Sequence, residues 1–310
     1  ILYKMDKSQK ELYWLRPNLI ENKLKPLLRK PIYGIYKFLH NIYLKNKYKI
    51  NFDVDQWLLG QRGNDYVFLR KKVNNYKEIK NKKIFIAGCG TGRDSLSWLK
   101  YNPEEITGVD FFNYEESWDQ FKKYSLKNKY KTKLNFYQAD LERLSGIPNE
   151  YFDIISSDAV FEHLNKFETI CKEFYRILKP GGVLYSTFGP LYYSWGGDHY
   201  SGWDNIDSGY NHIILSKEKY KAYLAKNRYF SPGEEDGRRW ITNNLFSYLK
   251  PIEYINLLNK SKFCKLFTSI MLDPIAIKCL RKRPDLKDEL TKNHSYLDLL
   301  ITGMTIIFKK

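Results

Sequence analysis

Ile84-Phe85-Ile86-Ala87-Gly88-Cys89-Gly90-Thr91-Gly92-Arg93-Asp94 is the stretch on which the reading of this chain turns. Four apolar residues with no turn former among them read as a strand buried on both faces. Three glycines at alternate positions follow, and a helical pattern begins directly after them. Glycine is needed where the backbone turns sharply and where a ligand must come close to it. The helix that opens from such a turn offers free N–H groups and positive potential to an anionic group.

Outward from this stretch, short apolar runs alternate with amphipathic segments. Residues 84–87, 106–109, 134–137, 152–156 and 183–187 read as strands, and helical stretches near 93–100, 115–127 and 166–178 separate most of them. Buried parallel strands joined by helical crossovers predict a doubly wound α/β sheet. Two later runs, 264–270 and 304–308, look like further strands with a helical, charged link between them, which brings the expected number to seven.

Two acids complete the glycine pattern. Asp110 ends the second strand about twenty residues on, where a carboxylate can accept from both hydroxyls of a ribose. After the third strand comes Ala139-Asp140-Leu141, an acid placed to accept from an adenine amino group and a leucine placed to pack on the ring.

These residues resemble the class I S-adenosylmethionine-dependent methyltransferases, and the likeness runs from about Lys83 to Thr187. Phe174-Tyr175-Arg176-Ile177-Leu178-Lys179-Pro180-Gly181-Gly182 looks like that family's helix end and turn before the fifth strand. The resemblance implies a Rossmann-like, mostly parallel seven-stranded sheet closed by an antiparallel hairpin, with S-adenosylmethionine as cofactor. It implies donor-site residues Ala87, Gly88, Cys89, Gly90, Thr91 and Gly92 in the turn, with Asp110 and Phe111 after the second strand. Asp140, Leu141 and Ser157 follow in the same role. A nicotinamide cofactor would call for the GxGxxG spacing, and the spacing here is GxGxG.

Loops at the carboxyl ends of such strands line the ligand crevice, so the segments after the fourth and fifth strands are the candidate acceptor walls. The first holds Asp158, Glu162 and His163. Its Glu-His pair is similar to one in small-molecule methyltransferases of this class, and in ubiquinone-biosynthesis O-methyltransferases a similar pair joins further acids around a metal. Here Ala159 stands where that pattern has an acid, so no metal is expected. The second wall runs over residues 188–203, rich in Gly, Tyr and Trp and carrying His199. Flat faces and hydroxyl donors suit a sugar or an aromatic ring. His163 and His199 are the candidate general bases for a hydroxyl acceptor, with Asp158 and Glu162 beside them. Arg238-Arg239-Trp240 reads either as a clamp for an anionic group or as a solvated face.

The flanks set the remaining expectations. Residues 1–80 read as a basic, mostly helical extension, 81–189 as the donor-binding core, 190–254 as an acceptor-side insertion, and 255–310 as the end of the core. The net charge of +17 lies largely before residue 81, and residues 32–48 place Ile32, Ile35, Tyr36, Leu39, Ile42 and Tyr43 on one helical face. That face either packs on the core or lies on an anionic membrane. The four cysteines, Cys89, Cys171, Cys264 and Cys279, form neither a disulfide framework nor a zinc motif, and no apolar run spans a membrane, so the expected location is the cytoplasm. The expected activity is O-methylation of a small molecule or glycan precursor. Two alternatives stay open: an RNA methyltransferase that holds phosphates with residues 1–80, and a donor-binding or membrane-associated scaffold without catalysis.

Overall fold

The computed structural model describes residues 67–310 apart from 93, 203 and 226–236. Residues 32–48 lie outside the described residues, as does most of the basic extension. Helix α1 (Val67–Tyr76) leads into β1 (Lys83–Ala87), α2 (Ser95–Leu99), β2 (Glu105–Asp110), α3 (Glu115–Lys127) and β3 (Lys133–Gln138). Then come β4 (Phe152–Asp158), α4 (Phe167–Ile177) and β5 (Leu178–Phe188). The short helices α5 (Asn211–Ile214), α6 (Lys217–Leu224) and α7 (Arg238–Thr242) belong to the insertion. The chain returns to the core through α8 (Pro251–Lys260), β6 (Cys264–Leu272), α9 (Pro274–Lys282), α10 (Pro284–Leu290), α11 (Tyr296–Leu300) and β7 (Ile301–Lys309).

The sheet has seven strands in the order β3-β2-β1-β4-β5-β7-β6. Strands β1 to β5 are parallel, and β7 runs antiparallel between β5 and β6. The strand order reverses between β1 and β4, and a ligand crevice forms at the carboxyl ends on either side of such a switch point. This is the predicted Rossmann-like architecture with its closing hairpin.

Alternation along the strands divides the core into two layers. Phe85 and Ala87 face one side with Ile155, Leu184, Phe161 and Phe174, while Ile84 and Ile86 face the other with Trp98, Phe121 and Tyr185. Phe85 lies 5.2 Å from Phe152 and 6.3 Å from Phe174, ring centre to ring centre. Burying one such side chain stabilises the fold by about 1.5–3 kcal/mol. Truncating Phe85 to alanine would cost more, about 3–5 kcal/mol, because a cavity stays behind.

One expected turn is a strand. Helix α4 ends at Ile177, but Leu178 already pairs with Phe152, and the ladder resumes at Ile154 and Val183. The Leu-Lys-Pro-Gly-Gly phrase is therefore the bulged first half of β5. Proline and glycine are tolerated in a strand where a bulge interrupts the pairing, and Gly181 takes φ +71° there.

Before the sheet, Arg70 of α1 is fully buried and reaches the tip of β4. Its Nη1 donates to Asp158 Oδ1 at 3.1 Å, its Nη2 donates to Asp158 Oδ2, and its Nε donates to Ser97 Oγ at 2.9 Å. The guanidinium also lies 4.5 Å from the centre of the Trp98 ring. Burial opposes the Arg70 charge, but Asp158 and Tyr185 outweigh it and hold the Arg70 pKa above its ordinary value. Among the described residues, no helix is long and apolar enough to cross a membrane.

Candidate active site

The donor rim is assembled by the register of three neighbouring strands. Gly88 and Cys89 both donate through their N–H groups to Val109 O, at 2.8 and 3.0 Å, which turns the chain back across the end of β2. Asp110 then receives the turn. Its Oδ2 accepts from Gly90 N at 2.7 Å and its Oδ1 from Phe112 N at 3.0 Å. Asp110 pairs with Gln138 across β2 and β3, and Ala139 N donates to Asp110 O at 2.9 Å. Asp140 therefore stands beside Asp110 on the same edge, with its side chain exposed. On the other flank Ala87 pairs with Ser157 of β4.

The glycines differ in what surrounds them. A side chain on Gly90, whose φ is +50°, would point into open space with nothing within 4 Å. At Gly88, with φ +69°, a Cβ would lie 2.3 Å from Val160 Cγ2. Gly90 thus leaves a bare cradle over the rim, while Gly88 lets the loop after β4 lie against the turn. Trp118 of α3 fixes the cradle from below, donating its indole N–H to Gly90 O at 2.7 Å and stacking on Phe136. An open glycine cradle beside a carboxylate that is oriented by two N–H groups fits an adenosyl group with its ribose at Asp110.

Burial raises the Asp110 carboxyl above its ordinary value, while N–H bonds from Phe112 and Gly90 and the charge of Arg239 pull it down. Burial, with help from Asp110, pushes the Cys89 thiol well above its ordinary value, so Cys89 lines the turn as a small apolar residue. Thr91 and Leu141 are also buried, Leu141 within the core layer of Val109 and Phe161. Phe111 is exposed, and its neighbour Phe112 is the ring that meets the insertion.

The acceptor side comes from two loops. After β4, a short turn of 3₁₀ helix (Phe161–His163) carries Glu162 and His163. Glu162 is fully buried, and its Oε1 accepts from Gly189 N at 2.9 Å. His163 Nδ1 lies 2.8 Å from Leu245 O. A carbonyl only accepts, so Nδ1 bears a proton. After β5, His199 is presented in the left-handed region at φ +61°. Its loop is organised by Asp198, which accepts from Tyr200 N, Ser201 N, Ser201 Oγ and Tyr220 Oη at 2.6–3.0 Å. The two imidazole rings stand 4.8 Å apart, and one ligand atom from each of Glu162, His163 and His199 lies within 4.8 Å of the others.

The insertion closes over this cluster. Trp240 of α7 stacks on His163 at 4.2 Å and faces Phe112 at 6.4 Å, so one side chain links the donor rim and the His163 imidazole. Gly237 packs against the His199 backbone, where a Cβ would fall 2.4 Å from His199 O. Within the Arg238-Arg239-Trp240 segment, Trp240 thus turns inward while Arg239 stays exposed.

Two further expectations change. Asp158 does not face the acceptor side, because Arg70 and Tyr185 occupy its carboxylate, Tyr185 Oη donating at 3.0 Å. A buried charge needs a partner, and this one anchors α1 to β4. Trp195 and Tyr200 are buried and not flat acceptor faces: the Trp195 indole donates to Ile206 O at 2.8 Å. Tyr192 and Tyr193 remain half-buried, with Tyr192 packed on Tyr248 and Phe246 at 4.5 and 5.2 Å. The sequence reading did not single out Trp118, Arg70 or Asp198 for these positions, and no local pattern marks them.

Comparison with known proteins places this geometry. Residues 86–186 match the family model described as a methyltransferase domain. Malonyl-[acyl-carrier protein] O-methyltransferase 2 of Ilyobacter polytropus is 28% identical over 197 residues, covering 63% of this chain and 73% of that protein. Sterol 24-C-methyltransferase erg-4 of Neurospora crassa is 31% identical over 105 residues, 34% of this chain and 27% of that enzyme. A solved S-adenosylmethionine dependent methyltransferase from Mesorhizobium loti superposes with a TM-score of 0.47 at 15% identity, covering 79% of this chain and 98% of that one. The alignments span 27%, 41% and 26% of the first three curated relatives. By the family match, residues 86–186 are a methyltransferase domain of the S-adenosylmethionine-dependent type.

Proposed function

We propose that this protein transfers the methyl group of S-adenosylmethionine to a hydroxyl oxygen of a small molecule or glycan precursor. The observation that carries the reading is the cluster of Glu162, His163 and His199 on the same sheet edge as the glycine cradle, linked to it through Trp240 and Phe112. Identity to an O-methyltransferase across most of that relative's length supports an oxygen acceptor.

When bound, S-adenosylmethionine supplies an electrophilic methyl on a sulfonium sulfur, which leaves by in-line displacement. The protein's part is alignment, exclusion of water and handling of one proton. Ala87 to Gly92 cradle the donor, Asp110 with Phe111 holds its ribose, Asp140 and Leu141 take the adenine, and Ser157 closes the rim beside Ala87. Alignment of this kind contributes roughly 7–11 kcal/mol. The Nε2 lone pair of His163, fixed by the Leu245 carbonyl, and the imidazole of His199 are the groups that receive the hydroxyl proton, with Glu162 beneath them. General base catalysis at such a site is worth about 10²–10⁴-fold.

The test is release of S-adenosylhomocysteine with panels of nucleotide sugars, glycans, other hydroxyl compounds and RNA. Turnover with a carbohydrate or small hydroxyl acceptor is expected. Turnover with RNA alone would overturn the acceptor assignment; that reading rests on residues 1–80, of which 1–66 lie outside the described residues.

A further inference from the structure

We propose that Glu162, His163 and His199 form a binding site for a divalent transition-metal cation of the zinc type. The proposal rests on reading this rim as the acceptor site, and it changes what handles the acceptor's proton. Three features carry it. One ligand atom from each residue lies within 4.8 Å of the other two. His163 is held through Nδ1 by the Leu245 carbonyl at 2.8 Å, the kind of outer-sphere bond that orients a ligating imidazole. Glu162 is oriented in the same way by the Gly189 N–H on Oε1 at 2.9 Å, in a position with no exposed surface.

The third ligand is what the sequence pattern did not supply. Ala159 stands where the resembling metal-binding pattern has an acid, and with Glu162 and His163 alone the site is too poor in ligands. The fold brings His199 from the loop after β5 to the same place, presented by a left-handed backbone that Asp198 and Gly237 brace on both sides. A non-glycine residue held at positive φ is a local cost, and such costs gather at functional sites.

The donor set selects the ion. Two imidazoles and one carboxylate suit zinc, cobalt, iron(II) or manganese, whereas magnesium and calcium call for oxygen ligands throughout. Bonds of about 2.0–2.2 Å put tetrahedral ligand atoms roughly 3.5 Å apart, so the cluster draws in by about an ångström when the ion binds.

Three protein ligands leave a fourth position open, as in catalytic metal sites. An acceptor hydroxyl in that position is acidified and gives its proton to water. Its oxygen then bonds to the methyl carbon as the carbon–sulfur bond breaks, and that electron pair neutralises the sulfonium. With the ion bound, His163 and His199 act as ligands; without it, they are the bases proposed above.

The experiment uses the full chain without a histidine tag, stripped with EDTA and desalted. Zinc is titrated against a chromophoric chelator, and cobalt is followed by its visible absorption. One zinc per chain is expected, with cobalt bands of a four- or five-coordinate site. His199→Ala and Glu162→Gln should each weaken zinc binding by roughly 100-fold or more. Cys264→Ser, which removes the exposed thiol, should leave it unchanged. Absence of binding at micromolar zinc, or equal binding by wild type and Glu162→Gln, overturns the proposal. Glu162→Gln keeps an oxygen for the Gly189 hydrogen bond, so it decides the matter even where His199→Ala does not fold. Calorimetry with S-adenosylmethionine on the same stripped protein separates the two readings. Donor binding and turnover without a cation site sink this inference alone, whereas absent donor binding sinks the methyltransferase reading while the zinc titration still decides this one.

Discussion

The donor rim and the acceptor cluster occupy one edge of the sheet but are built in opposite ways. At the donor rim the working groups are mostly backbone. Gly88, Cys89 and Gly90 contribute N–H groups and bare space, and Asp110 is locked by two of its neighbours' amides. At the acceptor cluster the working groups are side chains delivered by two loops and covered by a third, from positions as far apart as Glu162, His199, Trp240 and Leu245. A site built from backbone is fixed by the strand register. A site built from side chains depends on every loop that carries them, and it is free to change acceptor while the sheet stays the same.

The sharpest way to break this comparison is at the two glycines. Gly90→Val should lower donor affinity by roughly 10³-fold or more with a folded protein, because its side chain enters open space that the donor needs. Gly88→Val should instead cost stability, since its side chain meets Val160. Calorimetry and thermal unfolding on both variants separate the outcomes, and equal donor binding by Gly90→Val and wild type would count against the cradle. Next in size, His163→Ala and His199→Ala should each reduce turnover by about 10²–10⁴-fold with donor affinity unchanged. Loss of donor affinity in step with turnover would mean that the two regions are one site.

Asp158→Ala probes the boundary between the regions. It strands Arg70 as a buried charge and should cost about 3–5 kcal/mol in denaturant unfolding. A stability change near zero would mean that the pair is not buried in solution. The smallest expected effect is at the cover. Trp240→Ala removes a ring stacked on His163 and facing Phe112, worth about 0.5–1.5 kcal/mol, and should raise the acceptor KM about tenfold. An unchanged acceptor KM would reduce Trp240 to packing.

Legibility in the sequence follows the same division. All seven strands overlap the apolar runs that placed them, and in β1, β2, β4, β5 and β7 burial on both faces leaves a nearly continuous hydrophobic signal. The donor turn was legible for a similar reason: its geometry is local, and three glycines within five residues describe it. Leu178 to Gly182 misled because Pro and Gly usually end elements, and a bulge that pairs with β4 cannot be seen without the partner strand. Asp158 misled because its partner Arg70 lies 88 residues away, in a region that reads as a basic extension outside the donor-binding core. His163 and His199 were each legible as candidates, but their meeting was not. That depends on a left-handed residue, the Asp198 network and a glycine contact from α7, none of which has a periodic signature.

The central claim is that Asp110, oriented by Gly90 and Phe112, holds the adenosyl group of the donor at the end of β2. Calorimetric titration of S-adenosylhomocysteine into wild type and Asp110→Ala tests it most directly. The account predicts one-to-one binding by wild type and a loss of roughly 100-fold, about 3 kcal/mol, in Asp110→Ala, with circular dichroism unchanged. Equal affinity in the two proteins, or no binding by wild type, would contradict it.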